Sequence, residues 1–182
     1  FLKTKIKSKF DIITSNAVLE HEFHPNKFLK KSYNDLKIGG MNFICVPDYT
    51  KLIRNGDPTL INHEHINYFT KSNLEYYLKK NKFIKVRVFS DKFGNLFGLG
   101  FKGRKKTNKT YKINLKKSQY SAHYVNKFYA CVKKIDNWLD TENKDYNLGL
   151  YGATSSISAI FSQIKFKKKN IYIFDGDSQK QK

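Results

Sequence analysis

Two cysteines, three prolines, one methionine and one tryptophan in 182 residues leave several classes of protein without their materials. Cys45 and Cys131 cannot make a disulfide framework, and no Cys-x-x-Cys occurs, so a thiolate zinc site is excluded. So little cysteine fits a reducing cytoplasm, the compartment expected. Cys45, inside an apolar run, reads as a core residue. No apolar stretch approaches the ~20 residues that span a bilayer, and no signal-peptide pattern is present, so no membrane partner is expected. The chain opens at Phe1 with no initiator methionine and reads as a fragment holding one domain and part of another.

Acid is also scarce. Fifteen Asp and Glu face 35 Lys and Arg, for a net charge of +20. Such a balance invites a nucleic-acid partner. The lysines, however, are scattered: Lys3, Lys5, Lys7, Lys9, Lys30, Lys31, Lys79, Lys80, Lys105, Lys106 and Lys167 to Lys169. They fall mostly at loops and helix ends, where a charge run is a solvated face, and basic charge alone gives only non-specific affinity. No nucleic-acid partner is expected. With 40% hydrophobic and 15% aromatic residues, the chain has enough to build a core.

The rest is arranged around residues 10–47. Phe10 to Thr14 is a short apolar, β-branched run, the pattern of a strand buried on both faces of a parallel sheet. Ser15 and Asn16 end it. Pro25 stands where a first helical turn begins, and Phe28, Leu29, Ser32, Tyr33 and Leu36 give one apolar helical face. Gly39-Gly40 is expected to stop the helix and turn the chain. Met41 to Val46 is a second strand, closed by Pro47. Strand, crossover helix and strand make a βαβ unit with parallel strands. Ligands of open parallel sheets bind beyond the carboxyl ends of the strands, which places Asn16, Glu20, His21 and Asp48 on one rim.

Residues 48–62 read as a long loop with Gly56 and Pro58, forming a lid or substrate wall. Thr70 caps a short helix from Asn73 to Lys80 with Leu74, Tyr77 and Leu78 on one face. Phe83 to Phe89 and Leu96 to Phe101 are strands that can pair as an antiparallel hairpin at the sheet edge. The polar, basic residues 102–117 suggest a boundary. Gln119 to Leu139 carries a helical stripe of Tyr124, Phe128, Cys131, Val132, Ile135 and Leu139, with Trp138 expected in packing. Tyr146 to Tyr151, a turn at Gly152 to Ser156, a helix to about Gln163, and Ile171 to Phe174 read as a new βαβ start. Its small residues and helix N-terminus suit a phosphate, and equally a tight turn with no ligand.

The pattern D-I-I-x-S-N-x-V-L-E-H, then P-x-x-F-L, then L-K-x-G-G and V-P, resembles the fourth and fifth strands of class I S-adenosylmethionine-dependent methyltransferases. The order of elements to Phe101 is that expected at the end of such a domain. The resemblance implies an α/β, Rossmann-like class I methyltransferase sheet (its C-terminal half) over residues 1–104. A basic linker and helix (105–145) and the start of a second, truncated Rossmann-like domain (146–182) follow.

His63-Glu64-His65 is the second informative site. In extended backbone the two histidines share a side and Glu64 takes the other. Two histidines with His21 or Glu20 nearby could hold zinc, but no third-ligand spacing is evident and no metal is assigned. The run could also be polar loop residues satisfying backbone groups. General acid–base work is favoured, since histidine exchanges protons near neutrality and Glu64 or Glu20 could hold its tautomer. N-H-E-H-I-N-Y-F is similar to the Tyr-His-Glu-His-Leu-Ser-Tyr-Phe motif of the nucleotide-sugar C-methyltransferases, departing at Asn62. That resemblance implies His65 as the base that deprotonates a carbon beside a 4-keto group, with Glu64 and His21 in the same catalytic pocket. It implies S-adenosylmethionine as cofactor, against Ser15, Asn16 and Ala17, and a nucleotide sugar or similar small molecule against Asn62, His63, Tyr68 and Asp48.

At the C-terminal end, L-Y-G-A-T-S-S followed by Asp175, Asp177, Lys180 and Gln181 resembles the second domain of the same family, with Asp177 and Ser178 departing from its Asn-Pro. The second Rossmann-like half favours carbon over oxygen or nitrogen as acceptor. The glycine-rich loop and acidic residue that hold the cofactor in such sheets are not in the sequence, nor is the family's Cys-rich zinc segment. The chain alone is therefore expected to be inactive, while the full protein is the methyltransferase. A basic nucleic-acid module or a non-catalytic scaffold is the reading of another class, but the aromatics Phe28, Tyr33, Phe43, Phe83 and Phe89 fall at expected core positions rather than on one basic face.

Overall fold

Phe10–Asn16 (β1) and Leu36–Pro47 (β2) run parallel, Ile12 opposite Met41 and Asn16 opposite Cys45. Parallel neighbours need a crossover, and Pro25–Asp35 (α1) supplies it, with Pro25 in its first turn. The computed structural model describes residues 7–61, 64–104, 119–141, 147–164 and 171–178. They fall into two compact units, Phe1–Lys51 with Glu64–Lys117, and Leu52–His63 with Ser118–Lys182.

In the first unit the chain continues from Tyr49–Asn55 (α2) to Lys71–Lys80 (α3), Phe83–Ser90 (β3) and Asn95–Lys102 (β4). Only the first turn of α2 belongs here. The sheet order is β1-β2-β4-β3, with β4 antiparallel to both of its neighbours. The hairpin thus forms as expected, and β4 joins it to β2. One apolar layer closes the unit. Phe28 and Leu29 of α1 and Leu74 and Leu78 of α3 are buried with Leu36, Ile44, Val46, Phe83 and Leu96. Each fully buried leucine of this kind contributes about 1.5–3 kcal/mol.

Five expectations change here. β1 is an edge strand, not one buried on both faces: Phe10 is 39% and Ile12 56% exposed, because among the described residues β2 is its one neighbour. Gly39-Gly40 does not end the helix. The helix stops at Asp35, Leu36 is already extended, and both glycines lie within β2. There the register slips, from Phe10 opposite Leu36 to Ile12 opposite Met41, and Gly39 absorbs the bulge at φ +83°. Residues 48–62 are not a plain loop, since they hold α2 and a 3₁₀ turn at Pro58–Leu60 capped by Asp57. Cys45 is half-buried rather than core, and Phe89, on an outer strand, is 46% exposed.

In the second unit Gln119–Thr141 (α4) buries Tyr124, Phe128 and Val132 against Ile53, Leu60, Ala159, Ile160 and Ile164. Cys131 and Trp138 lie off that stripe and are exposed. Leu148–Tyr151 (β5) and Ile171–Phe174 (β6) pair in parallel, with Ser155–Phe161 (α5) between them. Gly152 turns at φ +102° and Thr154 caps α5. The expected phosphate turn is partly closed from within: the Ala153 N–H donates to Asp175 Oδ2 at 2.7 Å. Lys180 and Gln181 lie outside the described residues.

Candidate active site

The carboxyl ends of β1 and β2 do converge, and what they hold together starts with a backbone clamp. After β1 the chain makes a 3₁₀ turn, Leu19–His21. The Glu20 carbonyl accepts from Ile66 N–H and Asn67 N–H, both at 2.9 Å. Asn67 Nδ2 returns to the carbonyls of Leu19, at 3.2 Å, and Glu22, at 2.6 Å. Four hydrogen bonds therefore fix the segment carrying His65 against the segment carrying His21. The His21 and His65 rings meet edge-on, centroids 4.9 Å apart.

Each imidazole is oriented by a partner. His21 Nδ1 lies 2.8 Å from the Glu64 carbonyl oxygen. A carbonyl only accepts, so Nδ1 carries the proton and Nε2 of the neutral ring is a lone pair. His65 Nδ1 is hydrogen-bonded to the Tyr49 hydroxyl. Tyr49 is 1% exposed, its ring edge-on to Tyr68 at 4.8 Å. Burial, then the nearby Glu20 carboxylate, pushes the Tyr49 phenol up, so it stays neutral. Burial and then the facing His21 push His65 down, against the pull of Glu20 and Glu64. His65 is thus a neutral imidazole at pH 7, able to take a proton.

The Glu20 carboxylate is 1% exposed, and its Oε2 has no hydrogen-bond partner among the described residues. Its Oε1 stands 4.0 Å from His21 Nε2. Glu20, His21 and His65 each offer a ligand atom, all within 4.8 Å of one another.

Of the residues expected at the site, His21, His65 and Tyr68 come together, and Glu64 joins them through its carbonyl, its side chain being exposed. Asp48 is close in sequence but engaged elsewhere: buried, it accepts from Thr50 N–H at 3.0 Å and from Ser90 Oγ at 2.6 Å. Asn62 and His63 lie outside the described residues. Tyr49 was missed. Its signal was its place, directly after the strand end at Pro47-Asp48, and it brings a phenol to a site whose motif has lost one at Asn62. Glu20 was placed on the rim from the sequence, but its burial was not readable there, and Asn67 was missed, since neither backbone clamping nor burial is written in spacing.

Beside this cluster, Ser15 and Asn16 line a cavity of about 490 Å³ with Thr14, Phe43, Cys45, Asn95 and Phe97. Ser15 is buried and its Oγ has no partner among the described residues. Ala17 stands at the strand end with φ +50°, its N–H donating to the Cys45 carbonyl at 3.0 Å, and is not part of the lining. Burial, with Glu20 and Asp91 nearby, pushes the Cys45 thiol up, so it lines the cavity as a neutral group. The cavity has a polar rim over a stacked Phe43–Phe97 floor, with one hydroxyl unpartnered among the described residues.

Residues 3–87 match the Methyltransferase domain family. That stretch holds β1, α1, β2, α3 and every residue of the cluster. Among solved structures, the chain is similar to an S-adenosylmethionine-dependent methyltransferase of Thermotoga maritima (16% identity, 54% of this chain, 60% of that one, TM-score 0.44). It is similar also to one of Clostridium acetobutylicum (16%, 56%, 62%, 0.42). A third is the Burkholderia thailandensis 1,6-didemethyltoxoflavin-N1-methyltransferase with S-adenosylhomocysteine bound (14%, 56%, 48%, 0.42). The chain spans 48–62% of the length of these three proteins. No curated protein matches it. Among the described residues no helix is long and apolar enough to cross a membrane.

Proposed function

We propose that the protein is an S-adenosylmethionine-dependent methyltransferase that methylates a carbon beside the keto group of a nucleotide-linked sugar, with His65 as base. The observation that carries this is the pairing of a neutral, oriented His65 with a buried phenol at the carboxyl end of a sheet matched by the methyltransferase domain family.

Ser15 and Asn16 would hold the cofactor at the cavity, with Ala17 beside them at the strand end. Bound there, the cofactor supplies an electrophilic methyl group. The chain's own residues do the proton work. In the tautomer whose Nδ1–H donates to the Tyr49 oxygen, His65 Nε2 is free to take the proton from the acceptor carbon, worth roughly 10²- to 10⁴-fold for a positioned base. The His21 ring, held by the Glu64 carbonyl, walls the other side and fixes where the acceptor lies. Tyr68 supports Tyr49 through its ring. Asn62 and His63 remain part of the acceptor side on the resemblance alone. Asp48 is better read as a brace, binding the chain after β2 to Ser90 at the end of β3.

The test is methyl transfer by the protein from S-adenosylmethionine to a nucleotide-linked 4-keto sugar, with the product mapped by NMR. A new carbon–carbon bond next to the keto group is the expected result. A methyl on oxygen or nitrogen keeps the enzyme class and overturns the carbon acceptor.

A further inference from the structure

Glu20 is the group that base catalysis by His65 leaves unexplained. A carboxylate 1% exposed, with one oxygen lacking any partner among the described residues, is costly to keep. Its other oxygen faces His21 Nε2 at 4.0 Å. Because His21 Nδ1–H is committed to the Glu64 carbonyl, Nε2 of the neutral ring presents a lone pair. With that ring neutral, two acceptors face each other, and among the described residues no donor reaches Glu20 Oε2. Something positive belongs between them.

From this we propose that Glu20, His21 and His65 bind a divalent cation of the zinc class. Two imidazole nitrogens and one carboxylate oxygen are a zinc donor set, and three protein ligands leave a fourth position open. In a tetrahedral zinc site ligand atoms stand roughly 3.3–3.5 Å apart, as bond lengths near 2.0–2.2 Å require. The present separations, up to 4.8 Å, must close by at most about 1.5 Å. Side-chain rotation is enough, because the backbone is already fixed: the Glu20 carbonyl holds Ile66 and Asn67, and Asn67 holds Leu19 and Glu22. The Glu64 carbonyl that orients His21 is the outer partner a ligating histidine ordinarily has. For His65 the Tyr49 hydroxyl fills that place.

Loading has a consequence that rests on the proposed function. The lone pair of His65 cannot both bind a cation and take a proton, so the loaded site is the inactive one, and the cation is an inhibitor of methyl transfer.

The experiment titrates the full chain with zinc chloride against a chromophoric chelator, and with cobalt chloride while recording visible absorption. It uses the chain carrying Cys45→Ser and Cys131→Ser, so that thiols contribute nothing. One equivalent should bind. His21→Ala and His65→Ala should weaken binding about tenfold or more, and Glu20→Gln, which keeps volume and backbone contacts, by a similar factor. Circular dichroism of each cation-free variant checks folding. If Glu20→Gln does not fold, the part-exposed His21 carries the test. Absence of stoichiometric binding to a folded parent, or binding that these substitutions leave unchanged, overturns the site. Zinc that binds at the predicted ligands without lowering methyl transfer by the full protein supports the site and overturns His65 as base. Methyl transfer with no zinc binding does the reverse.

Discussion

At Tyr49 the ring and the hydroxyl do different jobs. The ring is buried against Tyr68, while the hydroxyl is bonded to His65 Nδ1. Tyr49→Phe keeps the first and removes the second. The positioning account expects kcat to fall, within the roughly 10²- to 10⁴-fold range a positioned base supplies, with KM for the acceptor unchanged. A merely structural role would instead lower thermal stability and leave kcat per folded molecule intact. Gly100 is the other residue whose size decides something. A Cβ built there would stand 2.8 Å from Phe83 Cβ, an atom that cannot swing aside. Gly100→Val should therefore force β4 from β3 and destabilise by about 1–3 kcal/mol in urea unfolding.

At the scale of elements, α3 shows how a local cap serves the site. Asn73 Oδ1 accepts from the Thr70 N–H at 2.7 Å, and Asn73 Nδ2 donates to the Tyr68 carbonyl at 3.0 Å. One side chain both starts the helix and ties down the strand of chain that carries Tyr68. Asn73→Ala should cost about 1 kcal/mol in thermal unfolding. These elements were largely legible. Thr70 was readable as a cap, Leu74 and Leu78 as a face, Pro25 as a first turn, because helical signals are local. Two readings failed for one reason. The edge exposure of Phe10 and Ile12 and the bulge at Gly39 depend on which strand lies beside β1 and in what register, and pairing partners are not encoded within ten residues. α2 was hidden behind Gly56 and Pro58, which punctuate the chain just after it rather than within it.

For the molecule as a whole, the family match and the cluster fall on the same residues. The histidines were legible because their motifs are short and specific. What made them a site was not: Glu20 burial and the Asn67 clamp are properties of the folded chain alone. The most direct measurement of the central claim is solvent deuterium exchange into a nucleotide-linked 4-keto sugar, with the parent protein and His65→Ala, each first shown by calorimetry to bind S-adenosylmethionine. The account predicts exchange at the carbon beside the keto group with the parent, and loss of about 10²-fold or more with His65→Ala at unchanged cofactor affinity. Equal exchange by the two proteins would contradict it.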